Sequence, residues 1–369
     1  MSPRHIPAGL RRSGYEPRPV AAERPRLPYP NGWFAVAFSE EVPPGRVLRR
    51  RLMGEDVVVY RTRSGVVRVV EPYCPHLGAH LGYGGKVEAE EIVCPFHGFR
   101  FDTSGACTAT SYGTRPPRAQ LNARIFREIN GAIVVWQDAD GGPPTWELPQ
   151  VPGARFPPPA QRSYTIVDHP QEVMENAVDI GHIRPVHGYQ NPQIRTPMDA
   201  DGARLRIGTV AERLFPVLGS VEMLLDFEID GLGYIWVLAK IPRFSGEALF
   251  QAWATPIDPC RIELRFAMSL RILPERGAPG RAASRLLTST LAGAFWSDLR
   301  KDFPIWQNKR FVTQPRLAKG DGPIVPFRRW ASQFYPRGIG DDGLAQERTD
   351  AIDSPPEVAR RVRSARAQG

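Results

Sequence analysis

Two histidines and an acid fall within nine residues of one another in the stretch Glu175-Asn176-Ala177-Val178-Asp179-Ile180-Gly181-His182-Ile183-Arg184-Pro185-Val186-His187, in a chain with seven histidines altogether. Neutral imidazole is a favoured ligand for iron, zinc, copper and nickel. Two imidazoles joined by a carboxylate from elsewhere would make a facial triad, which leaves open positions on a ferrous ion for dioxygen. Taken alone, the pair reads equally as two satisfied structural histidines. On a helix, Asp179 and His182 would lie roughly 60° apart and share a face, whereas His182 and His187 would be about 140° apart. Pro185, between the histidines, should end or kink such a helix and swing His187 back toward His182.

A second donor set lies upstream, in Cys74-Pro75-His76-Leu77-Gly78 and Cys94-Pro95-Phe96-His97-Gly98. Each loop supplies one thiolate and one imidazole, with 17 residues between His76 and Cys94, and Pro and Gly shape the turns. Zinc fingers normally pair Cys with Cys and His with His. The interleaved pattern suits a [2Fe–2S] centre in which Cys74 and Cys94 hold one iron and His76 and His97 the other. Histidine in place of thiolate leaves less negative charge on the cluster and raises its potential, which suits a one-electron relay. His80 reads as a surface or supporting group and Cys107 as a buried small residue.

The elements that must position these residues fall into two groups. Trp33 to Phe38, Asp56 to Tyr60, Val66 to Val70, Glu91 to Cys94 and Ala132 to Gln137 are short β-branched and aromatic runs separated by turn signals, which predict a small antiparallel β domain. Gly141 to Pro144 and Pro157 to Pro159 flank a loop-rich linker. Beyond it, a helix bearing the opening stretch is followed by strand-like segments at Leu205 to Val210, Ser220 to Ile229, Tyr234 to Ile241, Ala248 to Pro256 and Arg261 to Leu273. Tyr234 to Leu238 and Ala248 to Trp253 fit an apolar cavity wall or ordinary sheet core. One helix is predicted over 283–311, with a kink near Pro304. Asp298 and Asp302, four apart on it, could face the same point and supply the missing carboxylate.

At 369 residues the chain is long enough for two full cores, and its 42% hydrophobic and 24% charged content is that of a globular protein. Four cysteines are too few for a disulfide scaffold, so a reducing, cytoplasmic setting is expected. No apolar run follows the N-terminal arginines and none reaches the roughly 20 residues of a membrane span, so neither a signal peptide nor a transmembrane segment is expected. The net charge of +9 is concentrated in the ends, 3–26 and 360–366. With no nucleic-acid recognition motif, an acidic electron-donor protein or an anionic membrane surface fits this charge better.

The cysteine–histidine loops resemble those of Rieske proteins, and with them on the chain the downstream stretch resembles the catalytic part of Rieske non-haem iron oxygenases. That family carries N-x2-D-x2-H-x4-H, which Asn176, Asp179, His182 and His187 match without a gap. The resemblance implies an α+β chain: an N-terminal all-β Rieske [2Fe–2S] domain over 31–145, then a helix-grip (START-like) catalytic domain over 146–340 with an antiparallel sheet and a long C-terminal helix. An extension over 1–30 and a basic tail over 341–369 flank them. It further implies mononuclear Fe(II) on His182 and His187. Asp302-Phe303-Pro304-Ile305-Trp306 looks like the family's D-x-x-I-W, which makes Asp302 the third ligand rather than Asp298, whose neighbours Arg300 and Lys301 suit a solvated acid. Asp179 would then bridge to the cluster of the next subunit in a homotrimer, and Asn176 would orient the iron site.

Gln307-Asn308-Lys309, Gly320 to Ile324, Phe327 to Trp330 and Gln333 to Tyr335 look like the steroid branch of that family, the 3-ketosteroid 9α-hydroxylases and cholesterol 7-desaturases, over about residues 30 to 335. The absence of an N-terminal membrane segment departs from the animal desaturases. What this implies is a monooxygenase that uses O2 to hydroxylate a steroid or sterol, with desaturation, demethylation, another apolar or aromatic substrate, or a pure electron carrier as alternatives. The chain reads as lacking a G-x-G-x-x-G dinucleotide fingerprint, so NAD(P)H electrons would arrive through a separate reductase or ferredoxin.

Overall fold

The computed structural model describes residues 27–215, 219–272 and 277–336. Ten short strands come first: β1 (Gly32–Phe38), β2 (Val47–Leu52), β3 (Glu55–Arg61), β4 (Val67–Val70), β5 (Lys86–Glu88), β6 (Glu91–Val93), β7 (Arg100–Phe101), β8 (Cys107–Ala109), β9 (Phe126–Ile129) and β10 (Ala132–Gln137). They form three small sheets, ordered β1-β10-β9, β2-β3-β4 and β5-β6-β7-β8. The runs Phe34-Ala35-Val36-Ala37 and Ile133-Val134-Val135 are buried on both faces, because β1 and β10 lie between the rest of this domain and the next one.

β11 (Ala160–Val167) opens the second domain, followed by two short helices, α1 (Pro170–Glu175) and α2 (Ile183–His187). Six long strands follow: β12 (Gln190–Asp201), β13 (Arg204–Phe215), β14 (Gly219–Asp230), β15 (Tyr234–Ile241), β16 (Gly246–Asp258) and β17 (Arg261–Ile272). All seven form one antiparallel sheet, ordered β11-β17-β16-β15-β14-β13-β12. β11 pairs with β17, so the sheet is an open meander with β11 at one edge and β12 at the other. α3 (Gly277–Leu299), α4 (Phe303–Asn308) and α5 (Ile324–Ala331) pack on the sheet through Ala292, Trp296, Phe303, Trp306, Phe327 and Trp330. This is the antiparallel-sheet and helix arrangement expected for the catalytic half.

The single helix expected over 283–311 is two. α3 begins earlier, at Gly277, and stops at Leu299, and α4 restarts at Phe303. Pro304 lies in the first turn of α4, where its missing N–H is no loss, so the proline starts a helix rather than kinking one. The helix expected across the 175–187 stretch is likewise interrupted: α1 ends at Glu175, and 176–182 is a turn. Pro185 sits inside the first turn of α2 for the same reason.

The face of β15 and β16 that carries Tyr234, Leu249 and Trp253 packs against Trp33, Phe38 and Trp136 of the first domain, and the other face, with Ile235, Val237 and Ala252, packs under the helices. Both runs are therefore sheet core. Cys107, expected to be buried, is half-buried at the end of its small sheet.

Candidate metal centres

The first donor set sits on two loops built alike, one between β4 and β5 and one between β6 and β7. In each, the Cys N–H donates to a carbonyl five residues on, Cys74 to Ala79 (2.8 Å) and Cys94 to Phe99 (2.8 Å). In each, the following glycine returns a bond to the Cys carbonyl, Gly78 to Cys74 (2.9 Å) and Gly98 to Cys94 (3.1 Å). Gly78 and Gly98 take φ of +73° and +63°, which an L side chain rarely adopts. The loops thus present His76 and His97 side by side, with ring centroids 4.8 Å apart, and both cysteines buried. Phe99 stacks on His76 at 4.1 Å.

The donor chemistry fits a [2Fe–2S] cluster. Burial pushes the Cys74 thiol up to about 11, with the Cys94 thiol beside it adding to the shift; a bound metal removes that penalty by taking the thiolate directly. His97 Nδ1 is buried and has no hydrogen-bond partner among the described residues. A dry imidazole lone pair without a donor is costly, and an iron facing it supplies the missing partner. His80 stays outside this set: its Nδ1 accepts from Gly82 N–H (3.0 Å), which puts the proton on Nε2, 3.0 Å from the Asp56 carboxylate.

The second set gathers where the 176–182 turn, α2 and the break between α3 and α4 meet. One donor atom each from His182, His187 and Asp302 lie within 4.8 Å of one another. His182 caps the start of α2, and its Nδ1 lies 2.5 Å from the Asp179 carbonyl oxygen, so Nδ1–H donates there and Nε2 keeps its lone pair for a metal. His187 is the last residue of α2, held by Gly188 at φ +75°. The helix is five residues long, and this brevity brings the two imidazoles to a centroid distance of 5.3 Å.

Asp302 is buried (4% exposed) at the start of α4, with Oδ2 3.3 Å from His187 Nε2. Asp298 lies on the opposite edge of the same ring, Oδ2 3.6 Å from Nδ1. Burial pulls the His187 imidazole down in pKa, but the two carboxylates outweigh it and raise the group to about 9. A histidine held as a cation between two acids, with a second imidazole alongside, marks a place built for positive charge. The donor types, two nitrogens and a carboxylate oxygen, fit a ferrous ion.

Asp179 is partly open to solvent (37% of its side chain) with its carboxylate 3.6 Å from His182 Nδ1. Burial raises its pKa, and His182 and the Lys309 charge more than offset this, so it stays ionised. Asn176 sits half-buried at the C-cap of α1, and its side chain makes no hydrogen bond to either histidine among the described residues. The turn is braced from outside: Ile180 N–H donates to Asp321 O (3.2 Å), and Gly322 lies so close that a Cβ there would fall 2.1 Å from Val178 O.

Sequence reasoning missed the charges beneath the site. Arg328 of α5 donates from Nε and Nη2 to Glu175 at 2.6 and 2.8 Å, and Lys309 pairs with Glu172. His169 is half-buried and caps α1, accepting from Gln171 N–H (3.2 Å) and donating to Pro28 O (3.1 Å), with desolvation of the ring driving its pKa down to about 4. Glu172 and Glu175 stand three apart, which was the available signal, but their partners lie more than 130 residues away.

A β domain with a cysteine–histidine donor set, joined to a large antiparallel sheet that carries a two-histidine, one-carboxylate site, defines a Rieske-type oxygenase. Residues 32–122 match the model of the Rieske [2Fe–2S] domain, and residues 135–335 match that of the 3-ketosteroid 9alpha-hydroxylase C-terminal domain. The chain belongs to the oxygenase family that combines them. It is 32% identical over 365 residues to a cholesterol 7-desaturase of Xenopus laevis, covering 90% of this chain and 77% of that one. To a probable 3-ketosteroid-9-alpha-monooxygenase oxygenase component of Rhodococcus rhodochrous it is 26% identical, covering 86% and 83%. Dicamba monooxygenase superposes with a TM-score of 0.64 at 17% identity, over 84% of this chain and 98% of that one. Pseudomonas putida NdmA gives 0.62 at 18%, over 82% and 89%. The two solved structures speak to the fold alone.

Proposed function

We propose that this chain is the terminal oxygenase of a multicomponent system that oxidises a C–H bond of a steroid or sterol, and that hydroxylation is its reaction. The match of residues 135–335 to the 3-ketosteroid 9alpha-hydroxylase C-terminal domain carries the substrate class. Desaturation is the second reading, favoured by the higher identity to cholesterol 7-desaturases, 32% against 26%.

Cys74, His76, Cys94 and His97 would hold the cluster, and His182, His187 and Asp302 the mononuclear iron. When bound, the cluster relays single electrons and the ferrous ion activates dioxygen for C–H oxidation. The chain's own task is placement. The Asp179 carbonyl fixes the His182 ring, and Asp302, buried at the start of α4, is shielded from bulk water. The Asp179 carboxylate, open on one side and held by His182 on the other, supports a role as the link to a cluster outside its own chain. The exposed apolar side chains around the cluster loops, Tyr73, Leu77, Tyr83, Phe96 and Tyr112, support burial of that tip against a second subunit in a homotrimer.

Electrons from NAD(P)H would come through a separate reductase or ferredoxin. The glycine spacing G-x-G-x-x-G, expected to be absent, does occur once, at Gly338 to Gly343, outside the described residues. It follows Tyr335-Pro336-Arg337 rather than an apolar strand, and Asp341 and Asp342 within it would repel a pyrophosphate, so it makes no dinucleotide site. Among the described residues no helix is long and apolar enough to cross a membrane.

The test is incubation with O2, NADPH, a ferredoxin–reductase pair and a panel of sterols and 3-ketosteroids, read by mass spectrometry. A product with one added oxygen supports hydroxylation, and a product short of two hydrogens supports desaturation. No steroid product, with turnover of another apolar compound, overturns the substrate class. As isolated, about three irons per chain fit the oxygenase and about two a pure electron carrier.

A further inference from the structure

We propose that Asp298 is a positioning residue for the mononuclear iron, holding the far nitrogen of His187 so that its Nε2 faces the metal, and that Arg213 and Tyr189 fix Asp298 in that place. The inference rests on the reading of His182, His187 and Asp302 as the iron ligands.

The two ring nitrogens of His187 face opposite ways. Its Nε2 faces Asp302 (3.3 Å) and His182, so a cation shared by these three residues lies on the Nε2 edge. The opposite nitrogen, Nδ1, is buried with no hydrogen-bond partner among the described residues. The acid it faces is Asp298, at 3.6 Å. That gap is about 0.7 Å longer than a hydrogen bond, and catalytic contacts of this kind tighten when the ligated ring is drawn into place. A neutral imidazole bound through Nε2 must carry its proton on Nδ1, and a carboxylate facing that proton selects the tautomer and raises ligand basicity.

Asp298 is not a solvated helix acid, as its charged neighbours suggested. Its side chain is 14% exposed and is held from two further sides: Arg213 Nη1–H donates to Oδ2 (3.0 Å), and Lys301 Nζ–H to Oδ1 (2.7 Å). Arg213 comes from the end of β13 and is itself anchored by Tyr189, whose hydroxyl accepts from Nη1 (3.0 Å) and whose ring lies 4.9 Å beneath the guanidinium. Tyr189 is the residue after Gly188, which caps α2. The loop closing the histidine helix therefore holds the arginine, the arginine holds the acid, and the acid faces the histidine. Four residues from three elements close one ring of contacts on the side of His187 away from the metal.

The test is metal binding to the full-length protein, depleted of mononuclear iron with its cluster retained. Fe(II), and Co(II) as an optical probe, are titrated into wild type, Asp298→Asn, Arg213→Gln and Asp302→Ala. Cluster absorbance checks the first domain of each variant, and an unchanged thermal unfolding midpoint checks the second. The proposal expects Asp298→Asn to weaken Fe(II) binding about 10–100-fold and Arg213→Gln to weaken it less. It also expects the Co(II) ligand-field bands of Asp298→Asn at saturation to shift from wild type, a change that a merely structural role would not produce. Wild-type affinity and bands in Asp298→Asn, with binding lost in Asp302→Ala, would overturn the proposal and leave the ligand assignment standing. Binding retained in Asp302→Ala and abolished in Asp298→Asn would make Asp298 a ligand, which overturns both. Should Asp298→Asn lose its cluster absorbance, Asp298→Glu keeps the charge at greater reach, and affinity restored to within about threefold of wild type supports the positioning role. Affinity no better than that of Asp302→Ala overturns it.

Discussion

At the scale of single residues, Asp179 does two separable things. Its carbonyl oxygen orients His182, and its carboxylate faces outward beside the same ring. Asp179→Ala removes the second and keeps the first, so both metals should remain at wild-type content while turnover falls by about 100-fold or more. Iron and cluster content measured beside product formation checks this, and a fully active variant would dismiss the carboxylate as a link. His169 gives a different prediction. Its folded pKa of about 4 lies below the ordinary 6.5, so the unfolded chain takes up the proton first. The stability it contributes is complete above pH 6.5 and is lost as pH falls toward 4, by about 3 kcal/mol in all. Denaturation midpoints at pH 7.5 and 5 should differ in the wild type and draw together in His169→Gln. The candidate donors and their spacing were legible in the sequence, because Cys74, His76, Cys94, His97, His182 and His187 sit in two compact stretches. The positioning acid was not: Asp298 depends on Arg213, which is 85 residues away and comes from a strand.

At the scale of elements, the candidate iron site is made by helices that stop. α1, α2, α3 and α4 all end or begin at it, and the two prolines expected to disturb helices instead start them. Hydrophobic periodicity does not reveal such breaks, because buried residues continue through them, as Ala177 and Val178 do through the 176–182 turn. The same limit hid several strands. β12, Gln-Asn-Pro-Gln-Ile-Arg-Thr-Pro-Met-Asp-Ala-Asp, is polar and holds two prolines because it is an edge strand, and β2 carries three consecutive arginines on a partly exposed sheet. The strands β15, β16 and β17 were found since both their faces are covered. The loop at Gly320 to Pro323 clamps the turn, and Gly322 combines a φ of +91° with contact against Val178 O. Gly322→Ala should cost about 1–3 kcal/mol from backbone strain alone. Mononuclear iron should fall while cluster absorbance holds, since the clamp touches only the second domain; unchanged iron content would show that the turn stands without it.

At the scale of the whole molecule, the two domains are locked together. Arg265 of β17, fully buried, donates to the carbonyls of Ala35 and Val36 in β1 (2.8 Å each), beside the bulge where β1 shifts register against β10. Thr255 Oγ1–H donates to the same Ala35 oxygen (2.7 Å), and Met53 N–H reaches across to Pro256 O (2.7 Å). With Trp33 and Trp253 packed in one shared core, the cluster loops cannot swing toward the iron of their own chain without breaking buried polar bonds. A cluster domain fixed in place, with apolar side chains exposed around its donor loops, and an acid exposed beside His182 support the proposal that electrons pass between neighbours in a ring. The decisive experiment mixes two inactive chains: Cys94→Ser, which lacks the cluster, and Asp302→Ala, which lacks the mononuclear iron. If each cluster serves only the next subunit, unfolding and refolding a 1:1 mixture into trimers leaves a good cluster facing a good iron at about a quarter of the interfaces, one half times one half, and about a quarter of wild-type activity returns. If transfer stays within a chain, every chain lacks one centre and the mixture remains as inactive as its parts.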